Sequence, residues 1–392
     1  MIASASGLMR IGKRTSLVDT DEWRGVHPEL ATVYVENRCH LRCDHCYESE
    51  QSHPSSKRLS REDFARVLDG LKDIGVLFLT ITGGEVFLRP DLLDLVEMAR
   101  EKRFAVRLYT SGTLLTEAHA DRIASLRLTE VHVSVYSHDA GVHDAFTGSP
   151  GSHAKSVRAL TMLHERGVPT VMKANVMTIN VDHLDELATF ARSIHAELRL
   201  DPLVHPRQDG HPHPLKYLVP PEELKRKFLA KPHLVDVFKD RGPDAMCDGE
   251  AVRSESSLLC SAARRVVAIG VDGSVFACAS MSVAAGNIHD DSLADIWYRS
   301  RQLDEMRRVR FGDMTSCGSC GVKTTCDPCM AHALIENGDI RECNASSMNL
   351  ATSLRLLAED RVRLSRGRSL PIVGDRTAPA PARATPRAGR HP

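Results

Sequence analysis

Apolar, β-branched runs recur at Ala31–Val35, Val76–Thr82, Ala105–Thr110, Val131–Tyr136, Pro169–Met177 and Glu197–Asp201, and the stretches between them carry helical periodicity. The result is six β–α units. Ser60-Arg61-Glu62-Asp63 has the spacing of a capping box, and Pro90 is expected at the first position of another helix. Strands that are nearly apolar throughout, each followed by a helix, predict parallel strands covered by helices: an α/β fold, either a doubly wound sheet or a barrel. Periodicity does not choose between the two.

Past Asp201 the pattern changes. His205, His211 and His213 stand among Pro206, Pro212, Pro214 and Pro220, which reads as a surface connection or as a His-rich metal site. Arg265–Val271 and Ser274–Cys278 flank Asp272-Gly273, the signature of a hairpin with a two-residue turn. A helical stretch runs on from Ser353, and from Gly374 the chain is dominated by Pro, Ala, Arg, Thr and Gly, the composition of a disordered tail. Its Arg376, Arg383, Arg387 and Arg390 face one acid, Asp375, in a solvated tail or a tether for an acidic peptide. The expected divisions are a lead-in over 1–30, the α/β unit over 31–204, a connection over 205–246, a cysteine-rich unit over 247–350, a helix over 351–373 and the tail over 374–392.

Composition narrows the class. A chain of 392 residues, 42% apolar, can bury a full core. Lysine plus arginine and aspartate plus glutamate balance at 51 each, so no basic field points to nucleic acid. No apolar run is long enough for a membrane span and the N-terminus lacks a signal-peptide core, which places the protein, by expectation, in the cytoplasm with no membrane partner.

Eleven cysteines in a reducing compartment read as metal ligands rather than disulfides. Cys39, Cys43 and Cys46 form C-x3-C-x2-C; the other eight, Cys247, Cys260, Cys278, Cys317, Cys320, Cys326, Cys329 and Cys343, follow a long gap. Three thiolates offered to a four-iron cluster leave one iron open to a small molecule, whereas eight suffice for two fully ligated clusters. Alone, Cys43 and Cys46 would equally suit zinc or a thioredoxin-like pair, and Cys317, Cys320, Cys326 and Cys329 a four-thiolate zinc site.

The triad, followed by Tyr47 and preceded by a β-rich run, resembles the radical S-adenosylmethionine (AdoMet) enzymes. The resemblance implies a partial (β/α)6 barrel, open on one side, with its chemistry at the carboxyl ends of the strands. By itself Gly83-Gly84-Glu85 is a turn, or a place where backbone approaches a ligand beside a carboxylate; in the family this position binds the AdoMet amine. The family usually continues with proline, where this chain has Val86 and Phe87. Tyr47, Thr110, Ser111, Ser134, Lys173 and Asn175 are the other cofactor contacts that the resemblance implies. Strand alternation puts His132 and Tyr136 on the face of Ser134, as candidate catalytic side chains or as ordinary buried ones. The stretch His143–Ser152, H-D-x-x-T-G-x-x-G-S, is similar to one in a peptide-modifying branch, although residue chemistry alone gives it only a loop and a helix cap.

Cys260, Gly273-x4-Cys278, Cys317-x2-Cys320-x5-Cys326-x2-Cys329 and Cys343 resemble the SPASM domain, whose last short spacing is usually x3. Motif position assigns Cys247, Cys260, Cys278 and Cys329 to one auxiliary cluster and Cys317, Cys320, Cys326 and Cys343 to the other. The resemblance thus implies AdoMet and three 4Fe-4S clusters, with AdoMet cleaved to methionine and a 5′-deoxyadenosyl radical that takes hydrogen from an unactivated C–H. It favours a ribosomally made precursor peptide as substrate, cross-linked, epimerised or oxidised, and a flavodoxin- or ferredoxin-type electron donor. Ala279 stands where formylglycine maturases carry an aspartate base. Only about 30 residues precede the first strand, so a separate leader-binding protein is expected, as for PQQ and mycofactocin pathway enzymes. Oxidation of a small metabolite is the alternative, and a non-catalytic iron–sulfur electron carrier the alternative of a different class.

Overall fold

The computed structural model describes residues 17, 22–48, 58–230, 254–323 and 325–367. Cys247, most of the lead-in, the end of the connection and the tail from Gly374 lie outside the described residues. Six strands, β1 (Leu30–Glu36), β2 (Phe78–Gly83), β3 (Ala105–Thr110), β4 (Glu130–Ser134), β5 (Thr170–Asn175) and β6 (Glu197–Asp201), pair in parallel. Between them run α1 (Arg61–Asp73), α2 (Leu92–Glu101), α3 (Glu117–Leu126), α4 (Ala140–Thr147), α5 (Ser152–Glu165) and α6 (Leu184–Ser193).

Strand order settles what periodicity left open. The six lie in the order β6-β5-β4-β3-β2-β1, each beside its neighbour in sequence with no reversal, which is the winding of a barrel and not of a doubly wound sheet. Closure is missing: β6 is one edge, while β1 continues into β7 (Val266–Ile269), β8 (Ser274–Phe276) and β9 (Gly286–Asn287). The cysteine-rich half therefore shares one nine-stranded sheet with the barrel, through parallel pairing of Leu30–Val33 with Val266–Ile269.

The two faces of the strands differ sharply. Ala31, Val33, Leu79, Ile81, Val106, Leu108, Val131, Val133, Met172 and Ala174 are wholly buried against the helices. The alternate positions turn inward and are polar: Thr80, Arg107, Tyr109, Glu130, His132, Ser134, Lys173, Asn175, Arg199 and Asp201. The strands thus build an apolar outer core and a charged lumen.

Ser60 and Asp63 form the expected capping box, with Ser60 Oγ accepting from the Asp63 amide at 3.0 Å. Three expectations are corrected. Pro90 lies in the turn before α2, which starts at Leu92 after Asp91; Arg89 pairs with Asp91 at 2.9 Å and holds that turn. The hairpin turn spans Gly270–Gly273, closed by the Gly273 amide on the Gly270 carbonyl at 3.0 Å, with Gly273 at φ +85°; the left-handed glycine is what lets a longer loop follow the strand twist. The final helix begins at Ala345, before the expected 351, because Asn344 Oδ1 accepts from the Ser347 amide at 3.0 Å and caps it there. Among the described residues the remaining helices are α7 (Pro221–Ala230), α8 (Leu293–Arg299), α9 (Arg301–Arg308), α10 (Met330–Asn337) and α11 (Ala345–Gly367). Among the described residues no helix is long and apolar enough to cross a membrane.

Candidate active site

Every parallel strand delivers its carboxyl end to one rim, and the cysteine loop leaves β1 there. Buried Glu36 first fixes the path: it accepts from the Asn37 and Arg38 amides, both at 3.1 Å, and pairs with the Arg38 guanidinium at 2.8 Å. The Gly84 and Glu85 amides then bond the Glu36 and Arg38 carbonyls, each at 2.8 Å. A Cβ on Gly83 would lie 2.0 Å from the Glu36 carbonyl oxygen, and one on Gly84 2.4 Å from that of Arg38. The two glycines are required by the approach of β2 to the chain entering Cys39.

Glu85 is fully buried. Its Oε1 accepts from Thr110 Oγ1 at 2.7 Å and the Phe87 amide at 3.0 Å; its Oε2 accepts from the Ser111 amide at 2.9 Å and from the Ser111 hydroxyl. Thr110 and Ser111 therefore grip this carboxylate, and the Thr110 hydroxyl also accepts from the Gly112 amide at 2.9 Å. The result is a carboxyl group held in one place beside Cys39.

Cys39, Cys43 and Cys46 come together at this rim. Burial, then the neighbouring Cys46 and Cys39, pushes the Cys43 thiol up to about 12. Cys46 is pushed up to about 11 by burial, with Glu48 and Cys39 adding to it, and Cys39 is raised by burial and by the Glu85 charge. Burial of this kind keeps the thiols protonated unless a cation is bound beside them. Among the described residues no three His, Cys, Asp or Glu side chains converge on a point that could hold a single metal ion.

The motif at His143–Ser152 acquires a structural role. The Arg42 amide donates to the Thr147 carbonyl at 2.8 Å and the Asp44 amide to that of Phe146 at 3.1 Å, so the end of α4 is the cradle of the cysteine loop. Asp144 holds α4 to α5 by accepting from the His153 amide at 2.8 Å and Ser152 Oγ at 3.0 Å. His45 is packed between Tyr136 and Phe146, with ring centroids 4.7 and 4.9 Å away, and burial, then His205, pushes it down to about 4.

The candidate side chains divide by place. The buried Tyr136 hydroxyl meets Cys43 and Ser134, which makes it a wall of the cysteine pocket. His132 lies deeper, stacked on Tyr109 at 4.4 Å and bonded to Glu130 at 2.7 Å. Lys173 sits over the Tyr109 ring at 5.1 Å. Asn175 donates to the Leu203 carbonyl at 3.0 Å, and Tyr47 reaches Tyr34 at 3.4 Å between the hydroxyls.

The sequence reading missed several members. Glu130 binds His132, Arg199 and Arg107 together in the lumen, at 2.7, 3.4 and 3.5 Å. Asp44 is clamped by His213 and Lys216, each at 2.6 Å, and by Tyr217; these contacts outweigh its burial and hold its carboxyl well below the usual range. Alternate charges inside strands were the available signal for the lumen. His213 thus braces the cysteine loop, and His205 lies beside Tyr47 at 5.2 Å, where a surface connection or metal site had been expected.

The later cysteines fall into two places. Cys326 is pushed up to about 12 by burial, then by Cys343 and Cys317, with Cys320 contributing. Cys329 is pushed up to about 12 by burial and then by Cys278. Cys329 thus neighbours Cys278, and Cys326 neighbours Cys343, Cys317 and Cys320, while Cys317 also belongs to the main core. Cys260 packs with Cys278 and Cys329 against the main core.

An open parallel barrel that gathers three thiols and a clasped carboxylate at its strand ends, with further thiol sets beside it, is the layout of an iron–sulfur enzyme that cleaves AdoMet. The chain belongs to the radical SAM superfamily: the profile of that superfamily matches residues 33–194, and the profile of the SPASM iron-sulfur cluster-binding domain matches 260–321. The mycofactocin maturase MftC of Mycobacterium tuberculosis is 30% identical over 322 residues, 78% of each chain. The antilisterial bacteriocin subtilosin biosynthesis protein AlbA of Bacillus subtilis is 28% identical over 326 residues, 79% of this chain and 69% of AlbA. The AdoMet-dependent heme synthase of Methanosarcina barkeri is 23% identical over 343 residues, 80% of this chain and 95% of that protein. Streptococcus suis SuiB, solved with its precursor peptide SuiA, shares the fold at a TM-score of 0.64 and 18% identity, over 83% of this chain and 77% of SuiB.

Proposed function

We propose that this enzyme takes hydrogen from a ribosomally made precursor peptide and so cross-links, oxidises or otherwise modifies it. One observation carries the reading: the 30% identity to the maturase MftC runs through barrel and cysteine-rich region together. Bound at the rim, a four-iron cluster and AdoMet supply a reagent able to abstract hydrogen from an unactivated C–H. The chain's own residues do the rest. Cys39, Cys43 and Cys46 hold the cluster; Gly83, Gly84 and Glu85 receive the amine, with Thr110 and Ser111 fixing Glu85. Ser134, Lys173, Asn175 and Tyr47 complete the pocket, while Tyr136 and His132 line the path into the lumen. Cys247, Cys260, Cys278 and Cys329 form one auxiliary site, and Cys317, Cys320, Cys326 and Cys343 the other. β6 is left unpaired at the edge of the sheet, and on this reading an extended substrate enters beside it, to a lumen that Arg107, Lys173, Glu130 and Arg199 make suitable for a polar backbone.

A separate leader-binding protein, a flavodoxin- or ferredoxin-type donor and a cytoplasmic setting belong to the same proposal. With dithionite and AdoMet the reconstituted enzyme should form 5′-deoxyadenosine, faster when a neighbouring precursor peptide and its leader-binding protein are present. Mass spectrometry should then show that peptide changed by loss of hydrogen. The likeness to heme synthases favours a second reading, a small-molecule substrate; deoxyadenosine coupled to a free metabolite, with the peptide unaltered, would establish it instead. Ala279 argues against the formylglycine route, since it places no carboxylate where its carbonyl accepts from the Tyr34 hydroxyl at 3.1 Å.

Glu85→Gln tests the amine site. It keeps the shape but removes the charge and replaces one accepting oxygen by an NH2 group that faces donors, so AdoMet affinity measured by calorimetry should fall about tenfold or more, with the cluster spectrum intact. Unchanged affinity would remove Glu85 from the pocket.

A further inference from the structure

His332 is 4% exposed, and among the described residues neither of its ring nitrogens has a hydrogen-bond partner. A neutral imidazole carries one N–H to give and one lone pair, and a fold rarely buries both unused. Its position is informative. Cys329 is the N-cap of α10, and its thiol lies near the Ala331 and His332 amides without a capping hydrogen bond, so His332 is the third helical residue and shares the face of the Cys329 side chain. Cys278 lies next to Cys329.

The other side of the ring leads to the cysteine loop. His332 stacks on His205 with centroids 4.1 Å apart and planes at 27°, and His205 lies 5.2 Å from Tyr47, the residue after Cys46. Tyr47 meets Tyr34, whose hydroxyl donates to the Ala279 carbonyl, one residue past Cys278. Four rings, Tyr34, Tyr47, His205 and His332, thus stand between the Cys39/Cys43/Cys46 rim and the Cys278/Cys329 site.

We propose that His332 donates its ring N–H to the iron–sulfur site built on Cys278 and Cys329, as a positioning residue that sets the redox potential of that site and ties it through His205 to the Cys46–Tyr47 loop. This rests on the reading that Cys278 and Cys329 hold a cluster. An N–H donated to cluster sulfur stabilises the more negative, reduced state and raises the potential. The short Cys326-x2-Cys329 spacing starts α10 directly at the ligand and so brings its third residue alongside.

The test uses the full chain carrying Cys39→Ala, Cys43→Ala and Cys46→Ala, reconstituted anaerobically, so that only auxiliary clusters are read. His332→Phe keeps the ring and its stack but has no N–H. Iron content should be unchanged, one of the two auxiliary midpoint potentials should fall in an EPR-monitored titration, and the other should stay, serving as an internal control. His332→Asn or His332→Gln should recover part of the shift, according to which ring nitrogen donates. Pulsed EPR of the unsubstituted histidine should show a weak nitrogen coupling at the same cluster. Unmoved potentials in His332→Phe, a missing nitrogen coupling, or the strong coupling of a direct iron ligand would each overturn the proposal. Loss of one cluster's iron in all three variants would mark a purely structural role and overturn it too. If the parent loads only the Cys317/Cys320/Cys326/Cys343 cluster, the reading of Cys278 and Cys329 fails, and the inference falls with it.

Discussion

Gly84→Ala should strip the protein of its AdoMet-site iron while leaving the auxiliary iron in place. The added Cβ would stand 2.4 Å from the Arg38 carbonyl oxygen and 2.7 Å from that of Asn37; in Gly83→Ala it would stand 2.0 Å from that of Glu36. These neighbours are backbone, so no side-chain rotation relieves the clash. Neither glycine has a positive φ, and what they provide is space alone. Relief requires the chain over 36–38 to retreat, breaking the Gly84 and Glu85 amide bonds at 2.8 Å and carrying Cys39 with it. Overpacking at about 1–3 kcal/mol and two lost buried hydrogen bonds at about 1 kcal/mol each give a loss of about 3–5 kcal/mol. Denaturant unfolding together with iron analysis reads both effects. Gly25→Ala is the control, with no atom within 4 Å of its Cβ and no positive φ, and should be near neutral. Wild-type iron and stability in Gly84→Ala would refute the packing argument.

The same pair of glycines shows how far sequence reaches. Their spacing after the second strand marked them for the site, yet the contact they make is with the chain's own β1 exit, and a contact between residues 36 and 84 leaves no trace in local pattern. Alternation exposed the outer face of the barrel, because Val33, Ile81, Leu108 and Val133 all obey it. It was misread on the other face, where strands looked nearly apolar although Arg107, Glu130 and Arg199 point inward; their pairing across three strands neutralises charge that composition alone would send to solvent. The His143–Ser152 motif was visible only as a likeness, since its work is done by the Phe146 and Thr147 carbonyls, which carry no side-chain signature. The cysteine spacings, by contrast, stand in the sequence itself. Metal ligands must be particular side chains, and short loops fix their separation. Sequence could not show that β7 would join β1, because a parallel partner more than two hundred residues away is chosen by the packed faces.

Replacing Cys39, Cys43 and Cys46 together by alanine should abolish AdoMet cleavage and lower iron from about twelve to about eight per chain, four for each cluster. The loss should be selective because the loop is not held by its thiols. Its amides remain on the Thr147 and Phe146 carbonyls, and Asp44 remains clamped by His213, Lys216 and Tyr217. The auxiliary cysteines belong to other elements: Cys329 heads α10 near Cys278, and Cys320 and Cys326 pack in a separate small cluster with Val322, Met348 and Ala351. Cys326→Ala should do the reverse, losing auxiliary iron while deoxyadenosine formation without peptide persists. The contrast also discriminates zinc, since a four-thiolate zinc site on Cys317, Cys320, Cys326 and Cys329 would leave Cys343→Ala without effect on metal content. Cys343 lies beside Cys326 whereas Cys329 lies beside Cys278, so Cys343→Ala should lose iron as Cys326→Ala does. Retention of full metal in that variant, or zinc in place of iron in the parent, would overturn the partition.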